Sequence, residues 1–270
     1  MKNKLLAAPY IVWMVLFTLI PLGIVFYYAL TDSMTGQFTL ANLASIGTYL
    51  PIFLRSIWLS LFASLICLVI GYPVAYFIAQ CKPLTQRFLE MLIMLPMCMS
   101  FLLRTLAWVA MLEDTGILNN LFRAIGLSPL PLIRTNGAVI LGMVYNFIPF
   151  MILQIHTSLA KMDKSLLEAA NDLGATPVQA FLRVTLPLSL PGVISGITLV
   201  FLPAVSSFFI PKLLGGGQFV LVGNIIESQF LTSGDWNFGS AISLIMAIII
   251  MLSMWLTRKV DVQPASRGKE

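Results

Sequence analysis

Charged residues are scarce in this chain of 270 residues: Asp, Glu, Lys and Arg make up 10 % of it, whereas hydrophobic residues reach 59 %. A typical soluble domain carries about 25 % charged residues to keep its surface wet. The composition, with a mean hydropathy of +0.93, excludes such a domain and places the chain in a bilayer. Histidine is almost missing. His156 is the single one, so no H-E-x-x-H site exists, and it reads as a packed or interfacial residue rather than a metal ligand. Cys67 and Cys98 lie inside apolar runs and Cys81 at the end of one, without metal-type spacing or the look of a disulfide framework. No metal site is expected.

Phosphate-binding and hydrolytic motifs are lacking as well. The Gly215-Gly216-Gly217 run has no lysine after it, so it is not a phosphate loop, and no serine sits in a G-x-S-x-G setting. The chain has no recognised route for hydrolysing ATP and would have to borrow that step. Carboxylates are nearly absent from the apolar runs, with only Glu90 near one end, which argues against the buried ionisable relay of a secondary transporter. The net charge of +5 does not call for nucleic acid, because the basic residues sit in short loops between apolar runs.

What the chain does contain is six apolar stretches, near 7–30, 57–80, 88–112, 138–160, 193–214 and 238–257. Each is long enough for a hydrocarbon core that about 20 helical residues span. Lipid offers no partner to an unpaired amide, so helices are the default, and the expectation is an all-α integral membrane protein with six transmembrane helices. The first run continues to about Leu30, too long for the core of a cleaved signal peptide, and reads as a retained helix. An even number of spans puts both termini on one side. With the termini inside, eleven basic residues lie inward (Lys2, Lys4, Lys82, Arg87, Lys161, Lys164, Arg183, Arg258, Lys259, Arg267, Lys269) and four outward (Arg55, Arg123, Arg134, Lys212). That bias makes the termini and the segments 81–87 and 161–192 cytoplasmic, and 31–56, 113–137 and 215–237 external. Gly71 and Pro73, Pro96, Pro149, Pro203 and Pro211 are expected to interrupt or kink the spans.

The inner segment 161–192 has a shape of its own, KMDKSLLEAANDLGATPVQAFLRVTLPLSLPG. Ser165 and Glu168 have capping-box spacing, so a helix starts at Ser165. Gly174 fits the helix-ending position that wants a left-handed residue. Thr176-Pro177 signals a second start, and Pro187 and Pro191-Gly192 should end that second helix before the fifth span. Two readings fit the shape. The first is a rigid knob whose small residues Ala169 and Ala170 seat in a groove of a force-giving ATPase, and the second an amphipathic helix lying on lipid.

Glu168-Ala169-Ala170, Gly174, Val184 and Leu186-Pro187 carry the full spacing EAA-x3-G-x9-[IV]-x-LP. In this pattern the chain resembles the binding-protein-dependent ABC import permeases over roughly 7–257. The resemblance implies the type I ABC importer (MetI-like) fold, with a core permease domain over 57–257 and a short tail over 258–270. It makes 161–192 the loop coupled to the ATPase through Glu168, Ala169, Ala170, Gly174, Ala175, Leu186 and Pro187. The implied partners are a second, similar permease, two copies of a cytoplasmic ABC ATPase and an extracytoplasmic binding protein. No cofactor belongs to this chain, since ATP and Mg would sit on the ATPase.

A solute is less legible. External or near-external acids (Asp32, Glu113, Asp114, Glu227, Asp235) and aromatic faces (Trp108, Tyr145, Phe208, Phe209, Trp236) are what an extended polyamine needs, and they are equally what solvated loops and interface anchors supply. Arg104, toward the outer end of the third span, is expected to snorkel outward or make a structural hydrogen bond rather than to line a solute path. The stretches SFLLRTLAW (100–108), GILNNLF (116–122), FLPAVSSFFIPKLLGGG (201–217) and GDWNFGSA (234–241) resemble the spermidine/putrescine permease branch, with Lys212 standing where relatives often carry an acid. The resemblance implies a polyamine permease. Related permeases for sulfate, molybdate, ferric iron or phosphonate share the plan and remain alternatives, with an ATP-independent secondary transporter behind them.

Overall fold

The computed structural model describes residues 9–260 apart from Ile11, Met34 and Lys164. Parts of the sequence reading fall outside the described residues: the start of the first apolar stretch, the basic residues Lys2, Lys4, Lys164, Arg267 and Lys269, and most of the tail. The described chain is helical, with one isolated bridge between Thr31 and Phe38. Apart from the short helix Ala41–Ser45, its helices are α1 (Val12–Ala29), α2 (Leu50–Gln80), α3 (Pro83–Met94), α4 (Phe101–Leu112), α5 (Ile117–Ala124) and α6 (Asn136–Ala160). They continue as α7 (Ser165–Asp172), α8 (Pro177–Ser206), α9 (Phe209–Leu214), α10 (Val222–Ser228) and α11 (Trp236–Val260). Five of them are long and apolar enough to cross a membrane, or six if the bent unit over residues 83–124 counts as one span.

Two of the expected spans are corrected. The stretch 88–112 is not one helix. After α3 a short 3-10 turn, Leu95–Cys98, carries Pro96, and then Met99 and Ser100 turn extended. The helical axis changes direction by 85° there. Proline supplies no N–H, so the ladder cannot continue through this point, and the chain turns. The stretch 193–214 is displaced: α8 begins at Pro177, runs through Pro187 and Pro191, and ends at Ser206 before the break that leads to α9.

The survival of Pro187 has a visible cause. Residues Phe181–Thr185 form a π turn in which the Leu186 N–H donates to the Phe181 carbonyl, five residues back. The widened turn relieves the pressure of the proline ring on the carbonyl below it. The same device recurs in α1, where the π turn Val15–Leu19 stands just ahead of Pro21. Pro73, Pro149 and Pro203 also lie within continuous helices, contrary to the expectation that they interrupt them.

The core is built around α6, of whose apolar window 61 % is buried, against 6 % for α1. Cys67 of α2, Met143, Met151 and Ile155 of α6, Val200 of α8, and Ile210 and Leu214 of α9 form one fully covered cluster. α6 and α8 approach closely because Gly192 faces α6: a methyl there would lie 2.8 Å from the Gln154 carbonyl oxygen. A second cluster joins α11 to α1, α8 and α10 through Ala29, Val205, Val222, Ile225 and Ile242. Asn237 pins α11 to the end of α1, its Nδ2 donating to the Thr31 carbonyl at 2.6 Å and the Tyr28 carbonyl at 3.1 Å.

Candidate functional site

The segment between α6 and α8 folds into two helical pieces joined by a tight elbow. α7 contains no buried residue. Its start is held by Asp163, whose Oδ1 accepts the Ser165 N–H at 3.0 Å, so the cap precedes the Ser165–Glu168 box read from spacing. That bond holds the exposed Asp163 carboxyl below its ordinary value. Its end is a two-bond Schellman closure. Ala175 N–H donates to the Ala170 carbonyl at 3.0 Å and Gly174 N–H to the Asn171 carbonyl at 2.9 Å. Gly174 has φ +80° and no atom within 4 Å of where a Cβ would sit, so conformation alone explains the glycine there.

The second piece starts on a capping box, in which Gln179 joins the expected Thr176-Pro177 start. Thr176 Oγ1 accepts from Gln179 N, and Gln179 Oε1 accepts from Thr176 N at 3.0 Å. Pro177 occupies the first helical position. Glu168, Ala169 and Gly174 are exposed, Ala170, Ala175 and Leu186 half-buried, and Pro187 exposed. Leu173 is 88 % exposed and Val178 66 %. The element therefore presents small and apolar side chains from a stiff frame, with closures at both of its turns.

At the opposite end of the bundle the remaining candidates fall into separate places. Glu227 of α10 pairs with Lys212 of α9 at 2.6 Å on the wall of a cavity of about 440 Å³ that Tyr49, Phe219 and Asn224 also line. Asn224 braces the break after α8, its Nδ2 donating to the Phe208 carbonyl at 2.8 Å. Phe208 and Phe209 lie with ring centroids 4.2 Å apart. Trp108 of α4 meets Tyr145 of α6 edge to face at 5.4 Å. Glu113 and Asp114 are exposed in the turn after α4, which the fully buried Asn119 ties to the Glu113 and Leu130 carbonyls. Asp235 and Trp236 border a cavity of about 530 Å³ with Tyr28 and Ser33, and Asp235 caps α11 by accepting the Phe238 N–H at 3.0 Å. Tyr28 and Phe230 both contact the Trp236 ring. Asp32 lies before α2, where its carboxylate accepts the Thr35 N–H.

Two single residues also depart from expectation. Arg104 does not snorkel: it is 8 % exposed, and its Nε and Nη1 have no partner among the described residues. His156 is packed as expected but not alone, since its Nδ1 lies 2.9 Å from Glu90 Oε1 of α3. That pairing joins residues 66 positions apart and had no local signal.

Residues 68–262 match the family described as binding-protein-dependent transport system inner membrane component. The spermidine/putrescine transport system permease protein PotB of Haemophilus influenzae is 37 % identical, the match covering 97 % of each chain. The PotB protein of Escherichia coli is also 37 % identical, over 93 % of this chain and 98 % of the relative. Among solved structures, a bacterial ABC transporter involved in importing the acidic polysaccharide alginate superposes with a TM-score of 0.79, at 17 % identity and 96 % coverage of both chains. The MetNI methionine ABC transporter superposes with a TM-score of 0.55, at 18 % identity over 79 % of this chain. At those identities the likeness is one of fold, that of type I ABC importer permeases.

Proposed function

The chain belongs to the binding-protein-dependent transport system inner membrane components, and on that premise we propose that it is the membrane-spanning subunit of an ATP-driven polyamine importer, moving spermidine and putrescine. The observation that carries the solute is the likeness at 37 % identity, along 97 % of each chain, to a spermidine/putrescine permease. The elbow of α7 supports the coupling half of the reading. A partner surface can grip an exposed element only if that element keeps its shape, and the closures at Asp163, Gly174 and Thr176 keep it.

In this proposal the termini and α7 face the cytoplasm, as the distribution of basic residues suggests. Two cytoplasmic ATPases seat on this elbow and on its counterpart in a second, similar permease, and an extracytoplasmic polyamine-binding protein docks on the opposite end. ATP and Mg are bound by the ATPases, and no cofactor is held here. Glu168, Ala169, Ala170, Gly174 and Ala175 meet the ATPase, with Leu186-Pro187 passing the motion into α8. ATP binding favours one arrangement of the permease pair over the other, which is all that switching requires. Trp108, Tyr145, Phe208, Phe209 and Trp236 offer faces to methylenes and ammonium groups, and Glu113, Asp114 and Asp235 offer carboxylates. Glu227 receives an ammonium group only in exchange for Lys212, which holds it here.

The test is uptake of radiolabelled spermidine and putrescine into proteoliposomes holding the complete importer, with and without internal ATP. ATP-dependent uptake that Glu168→Arg lowers, while the variant still inserts, is the expected result. ATP-dependent uptake of sulfate, molybdate, ferric complexes or phosphonates in place of polyamines would sink the solute assignment. Normal uptake by Glu168→Arg would sink the docking role.

A further inference from the structure

Between the elbow and the core lies a group of side chains to which neither the family pattern nor the proposed pathway gives a role. α7 has no fully buried residue and packs against the first turns of α8, Pro177–Thr185, so a push on it enters the bundle there. On the α8 side the helix is unbroken from Pro177 onward, and its first aromatic residue, Phe181, is gripped by two rings of α2. Tyr72 meets it edge-on at 5.8 Å and Tyr76 at 5.3 Å. Tyr72 and Tyr76 are one helical turn apart, so both address the same face of α8.

Tyr72 makes a further connection. Its hydroxyl lies 2.8 Å from Ser189 Oγ, and Ser189 Oγ donates its own proton to the Leu186 carbonyl at 3.0 Å. The tyrosine is therefore the donor to the serine. One side chain of α2 thus holds α8 both at Phe181 and two turns on, at Ser189. Between these points runs the π turn, the least regular turn of α8. There the Leu186 N–H donates to the Phe181 carbonyl, five residues back. Thr185 is fully buried, and its hydroxyl has no partner among the described residues.

We propose that Tyr72, Tyr76 and Phe181 form the joint that transfers displacement of the α7 elbow to α2 as well as α8, with the Tyr72–Ser189 bond bridging the π turn so that it does not absorb the motion. They are positioning residues for import and touch neither ATP nor solute. The inference rests on the importer reading. A wild-type complex without ATP-driven uptake would sink that reading, whereas a coupled wild type whose joint variants remain coupled sinks the joint alone.

The experiment measures solute moved per ATP hydrolysed in proteoliposomes holding the complete importer, with spermidine as the probe. Phe181→Ala should still copurify with its ATPase and hydrolyse ATP, while the transport-to-hydrolysis ratio falls about fivefold or more, the lower end of site-to-site coupling. Tyr76→Phe, which keeps the ring, should stay at the wild-type ratio. Tyr72→Phe, which removes only the bridge to Ser189, should fall between. A ratio that stays constant because uptake and hydrolysis drop together, or because neither drops, overturns the joint. If Phe181→Ala fails to assemble, Tyr72→Phe decides: an unchanged ratio in that variant overturns the proposal.

Discussion

Replacing Gly174 tests whether the elbow acts through its backbone. The residue sits at φ +80°, and a Cβ built there would meet nothing within 4 Å. Crowding therefore contributes nothing to the cost of a side chain, and the whole penalty is that of the left-handed backbone, about 1–2 kcal/mol for an ordinary L-residue. A penalty of that size shifts the ratio of formed to unformed elbow by a factor of roughly 5–30. Asparagine tolerates the left-handed region better than alanine, and a β-branched residue tolerates it worst. ATPase binding and ATP-driven uptake should therefore fall in the order Gly, Asn, Ala, Val. A steric requirement would instead follow size and place Ala ahead of Asn. The thermal midpoint of the isolated permease should stay put across the series, because α7 buries no residue. The assay is titration of purified ATPase onto the variant permeases together with uptake at limiting ATPase. If Gly174→Ala equals wild type, or outperforms Gly174→Asn, the conformational account of the elbow is wrong.

The cap of α7 predicts a pH response. The Asp163 carboxyl is depressed below 3.8 by the Ser165 N–H, so its stabilisation is complete above 3.8 and lost only as pH falls through the lower folded value. ATPase docking should be flat between pH 8 and pH 5, and Asp163→Asn, which retains an acceptor oxygen, should bind normally. Docking that declines within that window in the wild type but not in the variant would refute this. Gly192→Ala should lower the thermal stability of the solubilised permease by about 1–3 kcal/mol through overpacking, since its methyl would meet the Gln154 carbonyl at 2.8 Å. Gly23→Ala, with nothing within 4 Å, serves as the uncrowded control and should not lose stability. Asp235→Ala should cost about 1 kcal/mol through loss of the α11 cap and Asp235→Asn only a few tenths, read by the same melting experiment. A loss of uptake in Asp235→Asn without a loss of stability would give the carboxylate charge a role beyond capping.

Much of the elbow was legible before any coordinates. Gly174, Thr176 and Pro177 are local signals, and each acts on neighbours within a few residues in sequence, so spacing alone suffices to place them. α7 starts at Ser165, where spacing placed it, but the side chain that caps it is Asp163, because Asp163 and Ser165 are both competent caps and only the geometry chooses between them. The prolines misled in the other direction. Reading Pro187 as a helix end neglects the π turn, which lets the helix pass a proline at the cost of one irregular turn. The substrate-side candidates were recognised by residue type alone, and the fold distributes them among the Lys212–Glu227 cavity, the Trp108–Tyr145 contact, the turn after α4 and the cap of α11.

Read alone, the sequence specifies a helical, membrane-spanning chain, a glycine-closed elbow within 161–192 and the family of import permeases. Hydrophobic run length, helix caps and a spaced motif are all properties of neighbouring residues. The bend between α3 and α4, the burial of Arg104, the pairing of His156 with Glu90 and the grip of Tyr72 and Tyr76 on Phe181 emerge only in three dimensions. These depend on which helix face meets which. In a chain whose spans are apolar nearly all round, that choice is made by small residues and isolated polar atoms far apart in sequence.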